Sequence, residues 1–71
     1  MSDSVYKIVE LVGTSTESWE QAAKNVVELA AGHLKDLRVA EVDMFDMHIE
    51  AGKPIVYRAK LKLSFKYHEE L

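Results

Sequence analysis

The sequence predicts an α+β domain of order β-α-β-β: a three-stranded antiparallel sheet packed on one helix. Two stretches in the second half of the chain alternate apolar and polar residues with the period of a strand, and one stretch before them repeats apolar residues at spacings of three and four. Gly13 and Gly52, with a run of small hydroxyl residues after the first, punctuate these stretches.

Val5 to Val12 (VYKIVELV) is rich in β-branched residues and bounded by Gly13, which reads as a first strand. Thr14 or Ser15 can cap the helix that follows, and Thr14 with Glu17 has capping-box spacing, so a helix is expected from near Thr16. Trp19, Ala22, Ala23, Val26, Ala30 and His33 then fall on one stripe of a helix reaching about Leu34, and this stripe faces the core. Gly32 either costs up to about 1 kcal/mol inside that helix or marks its end.

Arg38 to Glu50 alternates as a second strand, but its parity switches: Ala40, Val42 and Met44 are apolar, and then Phe45, Met47 and Ile49. A single-residue bulge at Met44-Phe45 accounts for the switch. Pro54 to Tyr67 is the third strand, with Ile55, Tyr57, Ala59, Leu61, Leu63, Phe65 and Tyr67 on one face and basic residues on the other. A tight turn at Gly52-Lys53-Pro54 pairs Ala51 with Ile55, and hence Ile49 with Tyr57, Met47 with Ala59, His48 with Arg58 and Asp46 with Lys60. Past the bulge, Val42 meets Leu63 and Asp43 meets Lys62. The pattern leaves the strand order open.

At 71 residues the chain is expected to be one domain, residues 1–71, without repeat, linker or low-complexity segment. A domain this small buries only roughly 60% of the surface its unfolded chain exposes. No cysteine is present to staple it, so association with further copies is the expected route to stability. The balance of 48% hydrophobic and 30% charged residues is that of a globular chain. A net charge of −3 argues against a nucleic-acid partner. No apolar run approaches the roughly 20 residues of a bilayer span, and Met1-Ser2-Asp3 opens no secretion signal, so no membrane partner and a cytoplasmic location are expected.

Gly13, Gly32 and Gly52 are scattered and form no phosphate loop, and Ser, His and Asp occur in no spacing that suggests a nucleophile and its base. An enzyme is not expected. His33 lies near the helix end, His68 belongs to a tail with Glu69 and Glu70, and Met44 and Met47 read as core filling because no Cys accompanies them. Trp19 reads as core or subunit contact. Asp46, His48 and Glu50 stand at alternate positions of one strand, on one face and roughly 6.5–7 Å apart. Such a ladder can pair with Arg58, Lys60 and Lys62 across the hairpin, or adjacent members can touch one hard divalent cation, such as calcium, completed by symmetry copies. Glu41 is expected to form an interface ion pair with Arg58 or Lys66, of its own or another subunit, rather than to serve as a catalytic acid.

Val5-Tyr6-Lys7-Ile8-Val9-Glu10-Leu11-Val12-Gly13-Thr14-Ser15, Leu37-Arg38-Val39-Ala40-Glu41-Val42 and the closing Tyr57-Arg58-Ala59-Lys60-Leu61-Lys62-Leu63-Ser64-Phe65-Lys66 together resemble the dodecin family over nearly the whole chain. The resemblance implies hollow particles of twelve subunits and a non-enzymatic binding and storage role. Its usual ligand is a flavin, riboflavin or flavin mononucleotide, bound in pairs between subunits. It also implies where the flavin would sit: the stacking Trp of flavin-binding members aligns with Val39, the Gln that addresses the ring with Arg58, and a basic residue near the phosphate with Asp46. With Glu41 these are the candidate cofactor positions, and the register puts Val39, Asp46 and Arg58 on the sheet face away from the helix. Val39 removes a stacking surface and Asp46 repels a phosphate, so usual flavin binding is expected to be weakened.

Overall fold

The most regular alternation in the chain becomes the central strand. A computed structural model describes residues 4–67 as β1 (Tyr6–Ser15), α1 (Trp19–His33), β2 (Leu37–His48) and β3 (Val56–Lys66). The sheet has the order β1-β3-β2 and is antiparallel throughout, so β3 is paired on both sides. Ala59, Leu61 and Leu63 point from β3 toward the helix and are almost fully buried. Ala22, Val26 and Ala30, one per turn of α1, meet them, and Leu11, Ala23, Val27, Leu34 and Leu37 pack around the edge of this cluster. The acidic tail with His68 lies outside the described residues.

Small side chains let α1 lie close on the sheet. At Gly13 a Cβ would stand 2.3 Å from the Ala22 carbonyl oxygen and 2.4 Å from Val26 Cγ2. Gly13 therefore belongs inside β1, paired with Ala59, and does not end the strand. β1 runs on through Thr14 and Ser15, opposite Arg58 and Tyr57, and this corrects both the end of the first strand and the start of the helix. The N-cap is Ser18, whose hydroxyl oxygen accepts from the Gln21 N–H at 3.0 Å, while Ser15 Oγ accepts from the Glu17 N–H in the connecting turn. At the other end the Leu34 N–H donates to the Ala30 carbonyl. Gly32 lies within the helix, and His33 is exposed and takes no part in the core.

The hairpin corrects the expected pairing by two residues. Asp46 lies opposite Arg58, Met47 opposite Tyr57, His48 opposite Val56 and Phe45 opposite Ala59; beyond the irregularity, Val42 faces Leu61 and Glu41 faces Lys62. The register shifts occur between Leu37 and Val39 and between Val42 and Met44, so the bulge falls at Asp43 rather than at Met44-Phe45, with a second at Arg38. The offset arises because residues 49–55 form a wider connection than a tight turn: Gly52 takes φ 79°, and the Lys53 N–H donates to the Glu50 carbonyl at 3.1 Å. Since side chains alternate, an even shift leaves the paired residues on their expected faces, except Met44, which the earlier bulge turns from the core side to the outer face opposite Lys60.

Candidate ligand face and its relatives

Because Ala59, Leu61 and Leu63 point at the helix, the intervening residues Arg58, Lys60, Lys62 and Ser64 point out the other side of the sheet. Pairing carries Val39, Glu41, Met44, Asp46 and His48 from β2, and Ile8, Glu10, Val12 and Thr14 from β1, onto that same outer face. The expected co-location of Val39, Asp46 and Arg58 is thus present in the register, and Glu41 shares their face.

Charge on this face is largely self-neutralised. Arg58 donates from Nε to Asp46 Oδ1 at 2.7 Å and from a terminal nitrogen to Asp46 Oδ2 at 3.0 Å, a bidentate pair between side chains about half exposed. The hydrogen bonds from Arg58, reinforced by its charge, hold the Asp46 carboxyl below the usual carboxylate value, and Asp46 in turn raises the guanidinium. Lys60 reaches Glu10 at 3.5 Å. Lys62 sits between Glu10 and Glu41 in the register, so within the chain Arg58 is committed to Asp46, not to Glu41. Val39 is 55% exposed, with no ring beside it on β2 or on its partner Ser64.

On the opposite side, the Trp19 indole N–H donates to the Asp46 main-chain carbonyl at 2.9 Å. Its ring meets Tyr57 edge-on at 5.1 Å and Phe45 at a tilt at 5.8 Å. Trp19 therefore ties the start of α1 to the strand segment whose side chain pairs with Arg58. Sequence reasoning placed Trp19 in the core stripe and missed this hydrogen bond; an indole opening a helix otherwise lined by alanine and valine was the available signal.

Toward the hairpin end, His48 Nε2 stands 3.5 Å from Glu50 Oε1, and Lys53 Nζ stands 3.1 Å from Glu50 Oε2. Asp46, engaged by Arg58, is not drawn into this group. Among the described residues of a single chain, no three His, Cys, Asp or Glu side chains gather to hold a metal ion. Nor is any helix among them long and apolar enough to cross a membrane.

The model of the dodecin family matches residues 5–68. The chain belongs to the dodecin family. It is 48% identical over 63 residues to a calcium dodecin of Mycobacterium tuberculosis, covering 89% of each chain. The crystal structure of a calcium dodecin from that organism, described as having a novel calcium-binding site, superposes with a TM-score of 0.84 at 44% identity, over 96% of this chain and 97% of the other. A dodecin from Streptomyces coelicolor superposes with a TM-score of 0.88 at 36% identity, over 99% of this chain and all of that one. The dodecin β-α-β-β fold, with its open three-stranded antiparallel sheet on one helix, is thus shared by relatives of clear sequence similarity.

Proposed function

We propose that this dodecin is a non-enzymatic, homo-oligomeric binding protein whose ligand is a hard divalent cation of the calcium type, and that the flavin mode of the family is weakened in it. The observation that carries this reading is the outer face itself. Val39 offers no flat ring for an isoalloxazine to stack on, and the Arg58 guanidinium at the position of the ring-addressing amide is already bound by Asp46. The residues present do not fit a flavin bound in the family's usual way. Calcium binding is supported by the calcium dodecin that is 48% identical to this chain.

Asp46, His48 and Glu50 are the proposed contributors, with Asp46 and Glu50 as the oxygen donors that such an ion prefers. Because the described residues of one chain do not gather three such groups, the proposed site draws donors from more than one copy, in keeping with the shell of twelve subunits that the family resemblance implies. Binding would compete with the Arg58 and Lys53 ion pairs that now hold these carboxylates.

Calorimetric titration of chelator-treated protein with calcium tests the reading. Uptake is expected in the parent protein and is reduced in Glu50→Gln and Asp46→Asn. Absence of uptake by the parent, together with stoichiometric micromolar quenching of riboflavin fluorescence, would restore the flavin reading. As a converse test, Val39→Trp with Arg58→Gln is expected to gain about tenfold in riboflavin affinity, equivalent to about 1.4 kcal/mol.

A further inference from the structure

We infer that Trp19 is a positioning residue for the outer face: by holding the Asp46 main chain from the helix side, it sets the Asp46 carboxylate, and Arg58 opposite, where a cation is taken up. The part that concerns the cation rests on the proposed function. The part that concerns the Asp46–Arg58 pair does not.

Asp46 lies on a stretch of β2 that the sheet alone holds poorly. In the single chain β2 is an edge strand, paired only with β3, and the bulge at Asp43 interrupts that pairing shortly before Asp46. Shortly after Asp46 the strand ends at His48, and the wide hairpin connection begins. The Asp46 and Arg58 side chains are themselves about half exposed, so close packing does not fix them. Stretches with few buried contacts open most readily. Yet the bidentate pair, at 2.7 and 3.0 Å, needs the two backbones to stay in step.

Trp19 supplies that constraint. Its indole N–H donates to the Asp46 carbonyl at 2.9 Å, and among the described residues this is the only side-chain hydrogen bond between α1 and β2. Its ring meets Phe45, the residue before Asp46, and Tyr57, the residue before Arg58. One side chain therefore touches both strands beneath the pair. Asp46 is held at two points facing opposite ways, its carbonyl by the indole and its carboxylate by the guanidinium. A phenyl ring could fill the same space but could not reach the carbonyl, so the N–H is the feature that fixes the residue.

Trp19→Phe keeps a ring and removes the N–H. The coupling between Asp46→Asn and Arg58→Gln, measured without calcium in a double-mutant cycle, is expected to fall to less than about half in the Trp19→Phe background. Calcium affinity of the chelator-treated protein, measured by calorimetry, is expected to fall about tenfold. A Trp19 that only filled space would destabilise all four members of the cycle alike and leave the coupling unchanged. The chain has one tryptophan, so a benzothienyl analogue incorporated in its place removes the N–H at nearly the same shape. That form repeats both measurements if Trp19→Phe does not assemble. An unchanged coupling in either form would overturn the inference, whatever calcium does. Unchanged affinity in a protein that binds calcium would overturn the role of Trp19 in cation uptake. A parent that takes up no calcium, with the coupling still lost on removal of the N–H, would overturn the cation reading and leave Trp19 as the residue that positions the pair.

Discussion

The two ends of the sheet's width do different work. Where α1 lies over β1 and β3, small residues bring the backbones close: Gly13 accepts no Cβ, Ala22 and Ala59 are fully buried, and Leu61 and Leu63 fill the remaining space. Across the sheet, β2 carries side chains at least as large, yet Val42, Met44, Phe45 and Met47 are each more than two-fifths exposed. The difference shows that hydrophobicity alone does not bury a strand. A close helix completes the core within the chain on one side, and the other side is left exposed in the single chain.

Substitutions can break or sharpen this contrast. The largest expected effect is in the closed half, where Leu61→Ala should cost about 2–5 kcal/mol, measured as a shift of the urea midpoint. Met44→Ala on the outer face should stay within about 0.5 kcal/mol. A Met44 cost equal to that of Leu61 would mean that the outer face of β2 is also closed off in the particle. Gly13→Ala should cost about 1–3 kcal/mol, because the new methyl group meets the Ala22 carbonyl and Val26 and the helix must lift. A neutral result would show that α1 rests less tightly on β1 than the geometry indicates.

Two changes on α1 should have opposite signs in thermal unfolding. Ser18→Ala removes the acceptor for the Gln21 N–H and should cost about 1 kcal/mol, whereas Gly32→Ala, with open space around its Cβ, should gain about 0.5–1 kcal/mol. The subtlest test is on the open half. Asp46→Asn and Arg58→Gln should combine non-additively in a double-mutant cycle, since either change alone removes the same bidentate pair. The folded-state carboxyl of Asp46 lies below its ordinary value of 3.8, so the pair's contribution is fully present above that value and is lost as pH falls through the lower folded one. The acid limb of the stability curve should therefore be shallower in Asp46→Asn than in the parent.

Particular residues show how far the sequence could be read. Alternation along β3 identified the strand and its buried face, and the spacing of Ala22, Val26 and Ala30 identified the helix and its packed side. The parity switch in β2 announced a bulge but located it one residue late, because an apolar Met44 on the outer face resembles a core position. Gly13 was read as a strand terminator, since a glycine required by a passing helix has the same local signature as one that ends a strand.

By itself the sequence determined the element order, the face that the strand side chains take apart from Met44 at the bulge, and the family, because periodicity and local residue chemistry are carried along the chain. Tertiary structure decided what depends on distance through space: β3 at the centre of the sheet, Ser18 rather than Thr14 or Ser15 as the cap, and the two-residue register offset that puts Asp46 opposite Arg58 rather than Lys60. An offset of two leaves an alternating pattern unchanged, so only the conformation of the hairpin connection could select the pair that now occupies the outer face.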